Sequence, residues 1–222
     1  CDTGVVQVDG LSLDEADSIR RASAFHSDMV TRAASETRQL REIGAGLIVG
    51  DIPPLAFAVG ASSGIPAIGL GNFTWDWIYA DYPRVRLAPS LLPAIRGAYA
   101  KASMALRLPM SRGFDSFSNI KDIPFIARHA TRTRAEVCKI LKLPTDKPIV
   151  LASFGGYGLP SLDTTVLSKF KKYTVVMTAN VPLSRAQRKE VAAAEKKGSF
   201  VSINEEAMYD AGVRYEDLFG AA

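Results

Sequence analysis

Leu47-Ile48-Val49-Gly50-Asp51-Ile52-Pro53-Pro54-Leu55-Ala56, followed by Pro66-Ala67-Ile68-Gly69-Leu70-Gly71, decides the fold. Leu47 to Val49 is too short an apolar run for a helix and suits a parallel strand buried on both faces. Pro53 and Pro54 can open a helix, because the first helical residues need no intrahelical donor. Leu55 to Ser63 continue it, Gly64 stops it, and Pro66 to Leu70 return as a second strand. A strand, helix and strand at this spacing imply parallel pairing through a crossover. The class is therefore α/β, with Asp51 at the end of the first strand and a loop beginning at Asn72 after the second.

Outward toward the N-terminus, Gly4 to Val8 is strand-like, and Ser12-Leu13-Asp14-Glu15 has the spacing of a capping box. A long helix is expected from there to Gly44. Phe25, Met29, Ala33, Leu40 and Ile43 form its apolar stripe. Toward the C-terminus, a helix is expected over Ser90 to Ser103, a strand over Met104 to Leu108, and irregular structure around a short strand between Pro109 and Pro124. Thr133-Arg134-Ala135-Glu136 is another capping box, opening a helix that ends before Pro144. The strand Ile149 to Ala152, a helix from Leu162, the strand Tyr173 to Thr178, a helix capped by Ser184 and Gln187, and the strand Phe200 to Ile203 make a second alternation. The predicted domains are residues 1–144 and 145–222.

The 222 residues suffice for one large domain or parts of two, and 47% hydrophobic with 23% charged residues is ordinary for a globular chain. A net charge of +4 is spread along the sequence, so it gives little support to nucleic-acid binding. Cys1 and Cys138 form neither a disulfide framework nor a zinc-binding spacing. No apolar run is long enough to span a bilayer, and no signal core follows the start. A cytoplasmic location is expected. The chain begins without methionine and ends within a helix-like stretch, so a fragment is expected.

Two constellations can carry chemistry. Ligands of open α/β sheets bind outside the carboxyl ends of the strands. Asp51 sits there, able to orient a base or accept hydrogen bonds from a hydroxyl-rich substrate, or alternatively to cap the next helix. Beside it, Trp75, Trp77 and Tyr79 offer flat faces for a sugar ring, with Asn72, Thr74 and Asp76 as the polar groups that orient it. A core cluster is the alternative. The second constellation is Ser153-Phe154-Gly155-Gly156, where glycines after a strand can let backbone N–H groups approach phosphate or simply make a turn. It is neither a Walker loop nor a dinucleotide fingerprint. His26 and His129 read as packed or solvated, and Arg128, Arg132 and Arg134 as a wet basic face. No metal-binding spacing is present.

Val49 to Ala56, Gly71-Asn72-Phe73-Thr74-Trp75-Asp76-Trp77-Ile78-Tyr79 and Leu151-Ala152-Ser153-Phe154-Gly155-Gly156-Tyr157-Gly158 together resemble glycosyltransferase-like proteins of the family 28 type, including the N-terminal region of L-arabinokinases. The resemblance implies a GT-B fold of two Rossmann-like domains, the first holding the acceptor and the second the nucleotide-sugar donor. Asp51 then takes a catalytic role, and Asn72, Thr74, Trp75, Asp76, Trp77 and Tyr79 bind the acceptor. Ser153, Phe154, Gly155 and Gly156 meet the donor diphosphate. No cofactor or metal is implied, since the nucleotide sugar is a substrate and its leaving group is met by backbone dipoles and side chains. The family's opening strand and its glycine loop, where a histidine base sits, have no counterpart here, so no base can be named. The implied function is transfer of a sugar to a hydroxyl acceptor. The alternatives are the sugar-metabolising region of an arabinokinase-like protein, or a carbohydrate- or nucleotide-binding module without turnover.

Overall fold

The computed structural model describes residues 3–153, 170–178, 192–196 and 198–222. The chain divides into two compact units, the first comprising Cys1–Val6 and Asp14–Ile126, the second Gln7–Leu13 and Ala127–Ala222. Each is a parallel α/β structure of the Rossmann-like kind, as the alternating pattern requires.

The first unit holds a sheet of β3 (Ile48–Gly50), β4 (Ala67–Gly71), β5 (Met104–Arg107) and β6 (Ile120–Asp122), in that order. All three pairings are parallel, with Ile48 opposite Ala67, Ile68 opposite Met104 and Ala105 opposite Ile120. The expected crossover helix is α3 (Pro54–Ser63), with Pro53 at its N-cap and Gly64 closing it at φ +75°. Its apolar residues surround the whole helix, so it is covered on more than one side, by α2 (Met29–Glu42) and α5 (Leu91–Tyr99). Phe57 of α3, Tyr99 of α5, and Phe114 and Phe117 of the loop after β5 interlock as ring pairs at the centre of the core. Gly69 lets this cluster approach the sheet, because a Cβ there would lie 3.2 Å from both Phe57 and Phe117.

Several expected elements are shortened or shifted. The single helix from Ser12 to Gly44 is two helices, α1 (Glu15–Ser27) and α2, hinged at Asp28. Each serves a different face: α1 packs on α5, α2 on α3. Phe25, Met29, Ala33 and Leu40 do join a core with Leu55, Ala58 and Val59, whereas Ile43 is exposed. The Ser12 capping box does not form. Leu13–Asp14 pairs as β2 with β1 (Val6–Gln7), which delays the helix, and the Asp14 carboxylate caps it by accepting from the Asp17 N–H at 2.9 Å. Helix α5 ends at Tyr99 rather than Ser103, because the Ser103 N–H already donates to Ala67 in the sheet.

In the second unit β7 (Ile149–Ala152), β8 (Thr174–Met177) and β9 (Phe200–Ser202) form a parallel sheet in that order. All four residues of the central strand β8 are buried, as expected of a parallel sheet. The Thr133 capping box is present and opens α6 (Arg134–Leu141). Although the sequence groups α6 with the first domain, it packs on the helix Tyr215–Ala221 of the second unit, and Val137 and Cys138 join that unit's core. The Arg132 and Arg134 side chains are not free in solvent. Arg132 donates to the Gly212 carbonyl, and Arg134 to those of Ala221 and Lys147, because these carbonyls border the α6 contact. The helix expected from Leu162 and the one capped by Ser184 and Gln187 lie outside the described residues.

Candidate functional site

Parallel pairing brings the carboxyl ends of β3 and β4 to one sheet edge, Asp51 leaving β3 after Gly50, which pairs with Gly69, and Asn72 leaving β4 after Gly71. Gly71 lies close between them, since a Cβ there would crowd Ile52 at 3.1 Å and touch the Asp51 Oδ1 at 3.5 Å. Asp51 is exposed. It does not cap α3, whose N-cap residue is Pro53, without a side-chain hydrogen bond. Among the described residues no hydrogen bond or ion pair engages its carboxylate, so it is available to a ligand hydroxyl.

The aromatic loop becomes α4 (Trp75–Ala80), with Thr74 at its N-cap. It sorts the six candidate residues into two groups. Asn72 is exposed, and Trp77 is 39% exposed, so both present surface. The others are turned inward. Tyr79 is 1% exposed and donates from its hydroxyl to the Gly4 carbonyl at 2.7 Å. Trp75 is half-buried, stacked on Tyr79 with centroids 5.6 Å apart and edge-on to Phe73. Thr74 and Asp76 are buried, and among the described residues Thr74 Oγ1 and Asp76 Oδ1 have no hydrogen-bond partner. The other Asp76 oxygen accepts from Arg96 Nε at 3.1 Å. Trp77 alone of the three rings thus keeps a substantial exposed face, while Trp75 and Tyr79 hold α4 in place.

The loop after β5 closes over the same edge. The Arg112 N–H donates to the Asn72 carbonyl at 2.9 Å, and the Leu108 N–H to that of Gly71. Gly113 has φ +79°, and a Cβ there would fall 2.1 Å from Thr74 Oγ1, so only glycine fits. Met110 and Phe114 also have positive φ, and Phe114 is anchored in the aromatic core. Arg107 and Asp122, on neighbouring strands, pair through two hydrogen bonds of 2.6 and 3.0 Å, which keep the Asp122 carboxyl below its ordinary range.

Sequence reasoning missed two residues at this edge. Ile52 has φ +50°, rare for a β-branched side chain, and Tyr99 bonds to its carbonyl from a distant helix. Ile52 carries no turn signal, and Tyr99 reads as one more core aromatic. The third loop was legible only as irregular structure between Pro109 and Pro124, without its link to this edge.

In the second unit, Ser153 follows β7 and its hydroxyl lies 3.3 Å from that of Thr178, which follows β8. Phe154, Gly155 and Gly156 lie outside the described residues. Among the described residues no group of three or more His, Cys, Asp or Glu could hold a metal ion, and no helix is long and apolar enough to cross a membrane. A groove of about 800 Å³ lies elsewhere in the first unit, between α1 and Arg84–Ala88. It lacks Asp51 and every residue of the aromatic loop.

No protein-family model matches the chain. It is 32% identical over 162 residues to a protein named L-arabinokinase from Arabidopsis thaliana, an alignment that spans 70% of this chain and 15% of the relative. The chain therefore matches a small part of that relative's length. Among solved structures, a sucrose-phosphate synthase from Thermosynechococcus elongatus aligns over 89% of this chain and 54% of its own, with a TM-score of 0.49 and 13% identity.

Proposed function

We propose that this chain handles a sugar, and that its chemistry is transfer of a glycosyl group from a nucleotide sugar to a hydroxyl acceptor on a GT-B framework. The observation that carries the sugar is the 32% identity to L-arabinokinase. Two parallel α/β units, the first with the loop of Asn72 at the carboxyl end of its sheet, support the framework. The acceptor lies across Asp51, Asn72 and Trp77, whose exposed groups are an anionic hydrogen-bond acceptor, an amide and a flat apolar face. Thr74, Trp75, Asp76 and Tyr79 support that surface from beneath. Ser153, with Phe154, Gly155 and Gly156, meets the donor diphosphate.

Asp51 accepts the acceptor hydroxyl and orients it toward the anomeric carbon, a positioning effect that lowers the entropic cost of reaction. A nucleotide-sugar panel tests the proposal. The protein carrying these residues is expected to hydrolyse or transfer from at least one donor, and Asp51→Asn to reduce the rate at least about tenfold. Turnover of none would sink it. A second reading, that the chain is the sugar-handling region of an arabinokinase-like protein, is favoured by the same identity. Sugar-dependent phosphate transfer from ATP by the whole protein would select it, because the sequence here contains no Walker loop.

A further inference from the structure

Tyr99 has no exposed surface. Its ring stacks on Phe117 at 4.8 Å and meets the edge of Phe57 at 5.7 Å, which fixes the direction of its hydroxyl. That hydroxyl donates to the Ile52 carbonyl at 2.9 Å and accepts from the Trp75 N–H at 3.1 Å. The two partners sit in different loops, one leaving β3 behind Asp51, the other leaving β4 behind Asn72. Ile52 is held in a left-handed backbone conformation that its branched side chain disfavours. Trp75 opens α4, where N–H groups have no intrahelical acceptor, and Thr74 does not cap them.

We propose that Tyr99 is the positioning residue of the acceptor site, its hydroxyl fixing the Asp51 loop against the Asn72–Trp77 loop so that both address one ligand. Only the identity of that ligand rests on the sugar assignment; the coupling of the loops does not.

The test is Tyr99→Phe, which keeps the ring and removes the hydroxyl. Amide exchange and an L-arabinose titration are followed at a temperature where the variant is fully folded. Exchange at residues 51–52 and 72–76 is expected to accelerate about tenfold while the rest of the first unit stays unchanged. The affinity for L-arabinose falls about tenfold, which a merely structural residue would not cause in the folded protein. Unchanged exchange in these loops, or equal acceleration throughout the unit, overturns the proposal, as does unaltered affinity. If the unmodified protein does not bind L-arabinose, the sugar assignment fails for that ligand and the exchange pattern decides the coupling. Should Tyr99→Phe fail to fold, NMR of the unmodified protein decides. A slowly exchanging Tyr99 hydroxyl proton close to the Trp75 amide is expected, and its absence overturns the assignment.

Discussion

Trp75 and Trp77 are two positions apart and have opposite fates, because successive helical residues two apart do not share a face. Trp75 stacks on Tyr79 inside, while Trp77 faces outward. Trp77→Ala is therefore expected to leave stability within about 1 kcal/mol and to weaken sugar binding. Trp75→Ala should destabilise by about 2–3 kcal/mol through lost packing. Denaturant titration and calorimetry on both variants separate the two. Gly113→Ala forces a side chain into a left-handed conformation and against Thr74, so a loss above about 2 kcal/mol is expected in the same denaturant assay. Sequence composition identified the aromatic loop but could not divide it. Which ring turns inward depends on where α4 begins and on Tyr99, Gly4 and Gly113, all distant in sequence.

At the scale of elements, the positions of β3, α3 and β4 were legible because their signals are local: short apolar runs, paired prolines and a terminal glycine; the expected burial of β3 on both faces fails, because it is an edge strand with Leu47 and Val49 exposed. The Thr133–Glu136 box was legible for the same reason. The start of α1 was not. Ser12 and Glu15 have the right spacing, yet the β1–β2 pairing draws Leu13 and Asp14 into extended backbone and passes the cap to Asp14. Asp14→Ala is accordingly expected to cost about 1 kcal/mol, and Ser12→Ala almost nothing, when the two are compared by thermal unfolding. The reverse order would restore the capping box. The break at Asp28 was hidden too, because the apolar period continues through it while the two helices serve different neighbours.

Across the whole molecule the two units carry different acid sensitivities. His26, buried in the first, has its pKa pushed down to about 4 by loss of solvent. Its folded value lies below the ordinary 6.5, so the unfolded chain binds the proton more readily. The first unit is expected to be most stable above about pH 6.5 and to lose on the order of 3 kcal/mol as pH falls toward 4. His26→Leu should flatten that window. Asp217, in the second unit, accepts from the backbone N–H groups of Arg214, Thr131 and Arg132 and is held down to about 2. Its contribution is present above about pH 4 and is lost only as pH falls toward 2. Unit-resolved NMR during acid titration should show resonances of the first unit broadening before those of the second.

In the proposed function the carboxyl edge of the first sheet, and not the groove beside α1, receives a sugar. An NMR titration of the protein with L-arabinose and a panel of nucleotide sugars tests it most directly. Saturable shifts centred on the Asp51 and Asn72 amides and the Trp77 indole N–H, with weaker ones at Arg112, are the expected result. Shifts centred instead on Ser23, Ser27 and Arg84 along the α1 groove, or no saturable shift with any ligand of the panel, would contradict it.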